Sequence, residues 1–422
     1  LGGPGTWDTT SSQWWNGSSL GTWSNSDTAI FTNPFANPSS LKSVVLNTDV
    51  TAGGLTFLRS DYAISGSGTL TLDGSAIIRN SYATSTSIGN IIAGTSGLTV
   101  TGGGSLRLTG ANTFTGTTNI NNGTVIITGQ DGLGASTSAI NINGSSSRAF
   151  GAGSLILDGS AGGVTLTRDL NVRGRGPTTD RGISLISVGD NTISSTVNLN
   201  VGNNTSRITA STGTLTFDTS STIDTSGSTG TNSYNRYNDV GSINGLKLAD
   251  IVVNGAVTGD GGFLFQGGNQ VHWNPNATAG FTGQFRVQNG TFQQGGILIT
   301  STGVLGDRTA TGTASVLDIN GGIVEVRMDN PTLQVNDGSN ANAYFRANAT
   351  FALDNAGGLS NTTFNQTLNL GEVLYEEGRD FIVETRNGFG LTVVDSYSVN
   401  GGNNSQDVFN RIEGGGLLTI TG

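Results

Sequence analysis

Few residues of this chain could carry acid–base or nucleophilic chemistry. His272, in the segment QVHWN, is the single histidine of the 422 residues, so any Ser-His-Asp arrangement would have to use it. The sequence has no G-x-S-x-G segment of the kind that holds a nucleophilic serine on a strained turn. We therefore interpret His272 as a packing or surface residue beside Trp273, and we predict no catalytic residues and no enzyme activity.

The second candidate is the densest charge cluster, YEEGRDF at Tyr375–Phe381. Glu376, Glu377 and Asp380 could form a carboxylate set for glycoside hydrolysis or for binding a cation. We favour a solvated turn in which Arg379 is the counter-ion. Calcium loops of the D-x-[DN]-x-[DN]-G or G-G-x-G-x-D type are absent. The sequence therefore predicts no metal site and no cofactor.

The composition excludes several other classes of function. Charged residues make up 11% of the chain, its net charge is −10, and lysine occurs only at Lys42 and Lys247. Nucleic acid is excluded as a partner because phosphate binding needs clustered Lys and Arg. The chain has no cysteine, so it has no disulfide or thiolate metal site. No apolar run reaches about 18 residues, so we predict no transmembrane helix.

The elements that must position any site are short strands. One pattern recurs, in which two apolar residues alternate with other residues between two glycines, as in GSLRLTG at Gly104–Gly110. This alternation predicts strands with one face in a core. The copies are Gly68–Gly74, Gly104–Gly110, Gly123–Gly129, Gly153–Gly159 and Gly416–Gly422. The residues predicted to share one core are Leu70, Leu72, Leu106, Leu108, Val125, Ile127, Leu155 and Leu157.

The spacing of these copies bears on the architecture. The first four begin 36, 19 and 30 residues apart, which is less regular than the blades of a propeller. A β-solenoid tolerates unequal turns because loops bulge outward while the strands stay stacked. An antiparallel sandwich, joined by Asn-Gly hairpins such as Asn122–Gly123, is the alternative. We favour the solenoid.

Two distant segments also match each other. FTGTTNINNGT at Phe114–Thr124 aligns without gaps with FTGQFRVQNGT at Phe281–Thr291. One architecture is therefore expected to run through the chain, with Phe114 and Phe281 in equivalent places.

The first sixty residues have a different character. Trp7, Trp14, Trp15 and Trp23 are four of the five tryptophans. We interpret this segment as a cap over the exposed end of the solenoid core; a platform on which sugar rings stack is the alternative. The predicted division is a cap and interaction segment at 1–60 and a β-solenoid at 61–422, with its strongest repeat at 97–134 and a second copy at 276–306.

A family resemblance adds to this interpretation. Gly97–Gly134 resembles the autotransporter-associated β-strand repeat, also called the passenger-associated transport repeat. Thr6–Phe31 resembles the Trp-rich segment that opens many such bacterial passengers, and Asn276–Gly306 matches more weakly. The resemblance implies a right-handed parallel β-helix with a Trp-rich N-terminal cap, exported to the bacterial surface or the extracellular space.

Self-assembly is the function that we expect first. GGGLLTITG at Gly414–Gly422 copies GGGSLRLTG at Gly102–Gly110, and an uncovered last strand of this type would recruit another strand. The expected partner is a second copy of the chain, which would stack head to tail into a filament. The alternatives are a monomeric passenger-type adhesin that binds surface glycans and a carbohydrate-active β-helix enzyme. The residues predicted to mediate assembly are Trp7, Trp14, Trp15, Trp23, Leu417, Leu418 and Ile420.

Overall fold

The computed structural model shows an all-β protein. In the residues that it describes, the regular structure consists of 38 strands and one 3₁₀ turn at Gln130–Leu133. Within the same residues, no helix has the length and apolar character needed to cross a membrane. The described residues are 5–32, 42–81, 84–145, 151–177, 182–199, 206–226, 234–237, 250–266, 270–288, 296–300, 305–306, 315–329, 333, 341–355, 366–376, 381–399, 410–413 and 418–420.

The chain divides into two compact units. The first comprises Leu1–Asn200 with Asn204–Arg207, and the second comprises Val201–Asn203 with Ile208–Gly422. The strands up to residue 199 are β1 Gly5–Thr6, β2 Trp14–Trp15, β3 Leu20–Gly21, β4 Thr28–Phe31, β5 Lys42–Val45, β6 Val50–Phe57, β7 Tyr62–Ser65, β8 Leu70–Asn80, β9 Ser85–Ile88, β10 Ile92–Ala93, β11 Leu98–Thr101, β12 Ser105–Leu108, β13 Thr118–Ile120, β14 Gly123–Ile127, β15 Ile140–Asn143, β16 Gly153–Asp158, β17 Val164–Leu166, β18 Leu170–Arg173, β19 Leu185–Val188, β20 Asn191–Ile193 and β21 Thr196–Leu199.

The first unit is a coil of parallel strands. One ladder, called ladder I here, pairs β4, β6, β8, β11, β13, β15, β18 and β21 in that order. Ladder II pairs β1, β5, β7, β9, β12, β14, β16 and β19. The chain passes alternately from one ladder to the other, as a solenoid requires. The predicted β-solenoid is therefore confirmed.

The second unit repeats this parallel stacking. The strands from residue 207 onward are β22 Arg207–Ala210, β23 Thr214–Phe217, β24 Thr222–Asp224, β25 Tyr234–Tyr237, β26 Asp250–Val253, β27 Ala256–Thr258, β28 Gly262–Gln266, β29 Gln270–Trp273, β30 Phe285–Gln288, β31 Gly296–Ile299, β32 Leu317–Arg327, β33 Ala343–Asp354, β34 Thr367–Glu376, β35 Phe381–Thr385, β36 Gly390–Val399, β37 Asn410–Glu413 and β38 Leu418–Ile420. Ladder III pairs β25, β28, β30, β32, β33 and β34. Ladder IV pairs β23, β26, β29, β31, β32, β33, β35 and β37.

The long strand β32 belongs to both ladders of the second unit. Leu317–Asn320 pairs with β30, and Ile323–Val326 pairs with β31. Between these parts lie Gly321 and Gly322, whose φ angles of 83° and 93° suit glycine and few other residues. The two glycines therefore let the strand turn a corner without ending.

The core contains the residues that the alternation predicted. All eight apolar residues expected to share it are at most 1% exposed, and the strands that carry them are parallel. Leu106 pairs with Val125 and Val125 pairs with Leu155, so apolar residues stack in a continuous column. Each fully buried aliphatic side chain contributes about 1.5–3 kcal/mol.

The repeated copies do not all lie in the same ladder. The copy at Gly104–Gly110 lies in ladder II, where β12 pairs with β14. The copy at Gly68–Gly74 forms the start of β8 and lies in ladder I, paired with β6. The two copies are therefore not equivalent turns of one column, because the same alternation fits either face of the coil.

Phe114 and Phe281 do occupy equivalent places. Both side chains are fully buried. The residue that follows each of them donates its backbone N–H to a glycine carbonyl of the preceding turn. Thr115 donates to Gly94 over 3.0 Å, and Thr282 donates to Gly259 over 2.8 Å. Around these two phenylalanines, the gapless sequence match therefore reflects a shared local structure.

Candidate functional site

The Trp-rich segment forms a compact aromatic cluster. The ring centroids of Trp7 and Trp14 are 5.2 Å apart, those of Trp14 and Trp23 are 4.7 Å apart, and Phe31 lies 5.5 Å from Trp7. Phe31 in turn stacks on Phe57 of the next turn at 4.7 Å. Tilted and edge-to-face pairs of this kind add about 0.5–1.5 kcal/mol each to the burial of their surfaces. The cluster therefore packs onto the core of the first unit, and its role as a cap stays a prediction.

Local backbone structure decides which tryptophans are buried. The antiparallel pair β2–β3 directs Trp14 inward, where it is 8% exposed, and Trp15 outward, where it is 42% exposed. Trp23 is 6% exposed and donates its Nε1–H to the carbonyl of Thr51 over 3.1 Å. Trp7 is fully buried. Three of the four rings therefore pack inside the cap, and a sugar-stacking surface is left to Trp15.

The C-terminal residues predicted to mediate assembly are described only in part. Leu418 and Ile420 belong to β38, which pairs in parallel with Leu391 and Val393 of β36. Leu417 lies outside the described residues. The involvement of all seven assembly residues stays a prediction.

His272 lies on a strand of ladder IV and has an acidic neighbour, Asp250. It lies on β29 between Val252 and Leu298. Its Nε2 is 3.4 Å from Oδ2 of Asp250, and both side chains are about a third exposed, at 31% and 27%. Among the described residues, no group of three or more His, Asp or Glu side chains could hold a metal ion. What the structure brings together here is a surface pair and not a triad.

Of the candidate carboxylate set, the structure describes Glu376 alone, because Glu377 and Asp380 lie outside the described residues. Tyr344 donates its hydroxyl proton to Oε1 of Glu376 over 3.2 Å. Burial raises the pKa of the Tyr344 phenol, and the negative charge of Glu376 raises it further. Glu376 is therefore tied to a neighbouring turn.

A row of asparagines that the sequence did not predict runs along ladder I. Asn141 donates its Nδ2–H to Oδ1 of Asn119, Asn171 donates to Asn141, and Asn198 donates to Asn171, each over 2.8 Å. The four amides form one directed chain of hydrogen bonds on the face opposite the core. They present donors and acceptors at the spacing of the strands, about 4.8 Å. We call these four residues the asparagine row.

Arg168 forms one wall of a cavity in the first unit. The cavity has a volume of about 370 Å³ and lies between residues 130–137 and 166–169. Arg168 donates from Nε and Nη2 to the carbonyl of Ser138 and from Nη1 to that of Leu133. Burial lowers the pKa of this guanidinium. Because its donors bind backbone carbonyls, we assign Arg168 to holding the loop after β14.

Comparisons with known proteins agree with the family resemblance found in the sequence. Residues 98–127 match the passenger-associated-transport-repeat family. A 176-residue stretch is 38% identical to the adhesin BmaC autotransporter of Brucella suis biovar 1 (strain 1330). That stretch covers 39% of this chain and 5% of the relative, so the chain spans a small part of the relative that it matches. No solved structure is significantly similar to this chain.

The match confirms that the chain carries a passenger-associated transport repeat, and it lies where the sequence predicted the strongest copy. In the structure these residues are β11 to β14, which lie alternately in ladder I and ladder II. The expected location is confirmed as well: the protein is found at the bacterial cell surface or outside the cell.

Proposed function

We propose that this chain is the β-solenoid part of a passenger-type adhesin, which binds surface glycans and catalyses no reaction. The observation that carries the proposal is its 38% identity to an autotransporter adhesin over 176 residues. This likeness favours adhesion, the alternative kept open above, over the filament subunit that we expected first.

The surface of the first unit suits such a role. In parallel stacking, the same side-chain position recurs on successive turns of the coil. The asparagine row is an example, in which four amides present N–H donors and carbonyl acceptors along one face. Sugar hydroxyls both donate and accept hydrogen bonds, so an amide face can bind them. A glycan polymer repeats along its length as the turns do.

Attachment to cells tests the proposal. Beads coated with the purified chain should bind cultured animal cells, and periodate oxidation of the cell-surface glycans should reduce binding severalfold. Beads coated with serum albumin are the control. Binding equal to that of albumin would contradict adhesion, and binding unaffected by periodate would contradict glycans as its target.

Head-to-tail assembly stays a second proposal, with Trp15 as the exposed member of the aromatic group that would take part. Sedimentation of the chain over a hundredfold range of concentration would show a rising mass if the copies stack. A Trp15→Ser variant should then remain a folded monomer. A constant monomer mass would leave adhesion as the remaining proposal.

A further inference from the structure

In the second unit, two arginines on neighbouring strands share one carboxylate. Asp318 lies on β32 between Leu317 and Ile319, which are fully buried in the core, so its side chain points to the opposite side of the strand. Its exposed fraction is nevertheless 0%. The two arginine side chains cover it, and they are 21% and 33% exposed.

The contacts use both oxygens of the carboxylate. Arg286 on β30 donates from Nε to Oδ2 over 2.8 Å and also from Nη2 to the same oxygen. Arg346 on β33 donates from Nε to Oδ1 over 2.8 Å. One carboxylate thus neutralises one of two guanidinium charges, and it holds both side chains in fixed positions.

Arg346 owes its position to an irregularity in the ladder. The pairing of β32 with β33 shifts after Ile319, so that Phe345 and Ala347 face consecutive residues and Arg346 is the extra one. A bulge of this kind redirects a side chain. Here it places the Arg346 guanidinium over the ring of Tyr344, 4.4 Å from the ring centroid. Tyr344 in turn donates its hydroxyl proton to Glu376.

The arrangement leaves part of Arg346 available. Its Nε is bonded to Asp318, whereas Nη1 and Nη2 have no protein acceptor within the described part of the chain. The outer edge of a guanidinium fits a carboxylate or sulfate group with two parallel hydrogen bonds. Because Asp318 and Tyr344 hold the group in place, little side-chain freedom would be lost on binding.

We infer that Arg346, with Tyr344 and Glu376, forms a subsite for an acidic sugar residue of a glycan. The sugar carboxylate or sulfate binds the outer edge of Arg346, and its hydroxyl groups donate to Glu376. An acidic sugar carries hydroxyl groups that can donate to Glu376 beside its carboxylate or sulfate, whereas the side chains of an acidic peptide such as polyglutamate bring only acceptors, so a sugar is the better fit. The inference rests on the proposed function, since it assigns a glycan class to the adhesin.

Calorimetric titration of the whole chain tests the subsite. The probes are an oligogalacturonate, which carries carboxylates, a heparin-derived oligosaccharide, which also carries sulfates, and neutral dextran. We expect the acidic probes to bind and dextran to bind far more weakly. The Arg346→Gln variant should weaken acidic binding by about tenfold or more. Arg346→Lys keeps the charge but loses the planar edge, so its affinity for the acidic probes should lie between those of the unchanged chain and of Arg346→Gln.

The matched control is Arg107→Gln. Arg107 also pairs with an aspartate, Asp158, across a ladder, and its side chain is 39% exposed. This variant should bind the acidic probes within about twofold of the unchanged chain. Thermal unfolding of each variant shows that it is folded, and Arg286 keeps Asp318 paired in the Arg346 variants.

Three outcomes would overturn the inference. They are equal binding by Arg346→Gln and the unchanged chain, no preference for acidic over neutral probes, and binding of a polyglutamate peptide in place of the oligosaccharides. None of these decides the proposed function, because the bead assay measures adhesion without reference to Arg346. If the beads do not bind cells but oligosaccharide binding still depends on Arg346, the subsite is supported and adhesion is contradicted.

Discussion

Gly134 lies directly against Phe114, so close that a Cβ on residue 134 would come within 2.7 Å of the phenylalanine ring. The same relationship joins Gly306 and Phe281 in the second unit, where the corresponding distance is 2.8 Å. The two glycines have φ angles of 81° and 106°, in the region that favours glycine. Each pair fixes the position of a buried ring by a close approach of the next turn of backbone.

Replacing Gly134 with alanine should destabilise the first unit by about 2 kcal/mol or more, because the new Cβ would be strained and would clash with Phe114. Denaturation with urea measures the loss. The control is Gly129→Ala, since Gly129 has an extended φ of −159° and no atom within 4 Å of its added Cβ. Equal stability of the two variants would show that the close approach imposes no constraint.

Trp7 should be the most sensitive position of the aromatic cap. Its replacement by alanine removes a fully buried ring that contacts Trp14, Trp23 and Phe31, and should cost about 3–5 kcal/mol. Trp7→Phe should cost less, because the buried Nε1–H, which has no hydrogen-bond partner among the described residues, would be removed. Thermal unfolding followed by tryptophan fluorescence measures both. The control is Trp15→Ala, which removes an exposed ring. A loss of stability in this control as large as that of Trp7→Ala would contradict the assigned burial.

Asp8 should titrate at unusually low pH. Its carboxylate accepts hydrogen bonds from the backbone and side chain of Ser11 and from those of Thr10, which lower its pKa to about 2. A depressed pKa in the folded state means that this stabilisation is present above the unfolded value of about 3.9 and is lost as the pH falls through about 2. An NMR titration of the Asp8 carboxyl carbon measures the pKa. A midpoint near 4 would show that the turn does not form.

The asparagine row should depend on the direction of its hydrogen bonds. Asn171→Asp removes the donor to Asn141 and sets two acceptors against each other, so we expect a loss of about 1–2 kcal/mol at pH 7. The loss should shrink below pH 4, because protonation of the new carboxyl restores a donor. Chemical unfolding at pH 7 and pH 3.5 measures the change. Asn121→Asp is the control, since Asn121 acts as acceptor for Asn143, and a pH-independent loss at 171 would contradict the directed chain.

The alternation of apolar residues between glycines was enough to predict the strands and their buried side chains. This worked because a side chain of an extended strand reaches either the core or the opposite face, and the sequence records which residues are apolar. The ladder that each strand joins was not predictable. The copies at Gly68–Gly74 and Gly104–Gly110 have the same pattern yet lie in different ladders. The length of chain between strands decides which ladder a strand joins, and the local pattern of apolar residues does not indicate it.

The same distinction holds for the candidate sites. The tryptophans predicted a buried aromatic cluster, since clustered large aromatic residues need burial, but only the β2–β3 pair decided that Trp14 is buried and its neighbour Trp15 is exposed.

What the sequence determined by itself is therefore the all-β class, the parallel coil, the core residues, and the passenger-associated transport repeat with the exported location that it implies. What only the tertiary structure decided is which polar side chains meet. Asn119, Asn141, Asn171 and Asn198 are 22, 30 and 27 residues apart, and Asp318 gathers arginines from 32 residues before it and 28 after it. Because the turns differ in length, no fixed repeat length in the sequence predicts these contacts. Parallel stacking brings residues together by strand register and not by a constant separation along the chain.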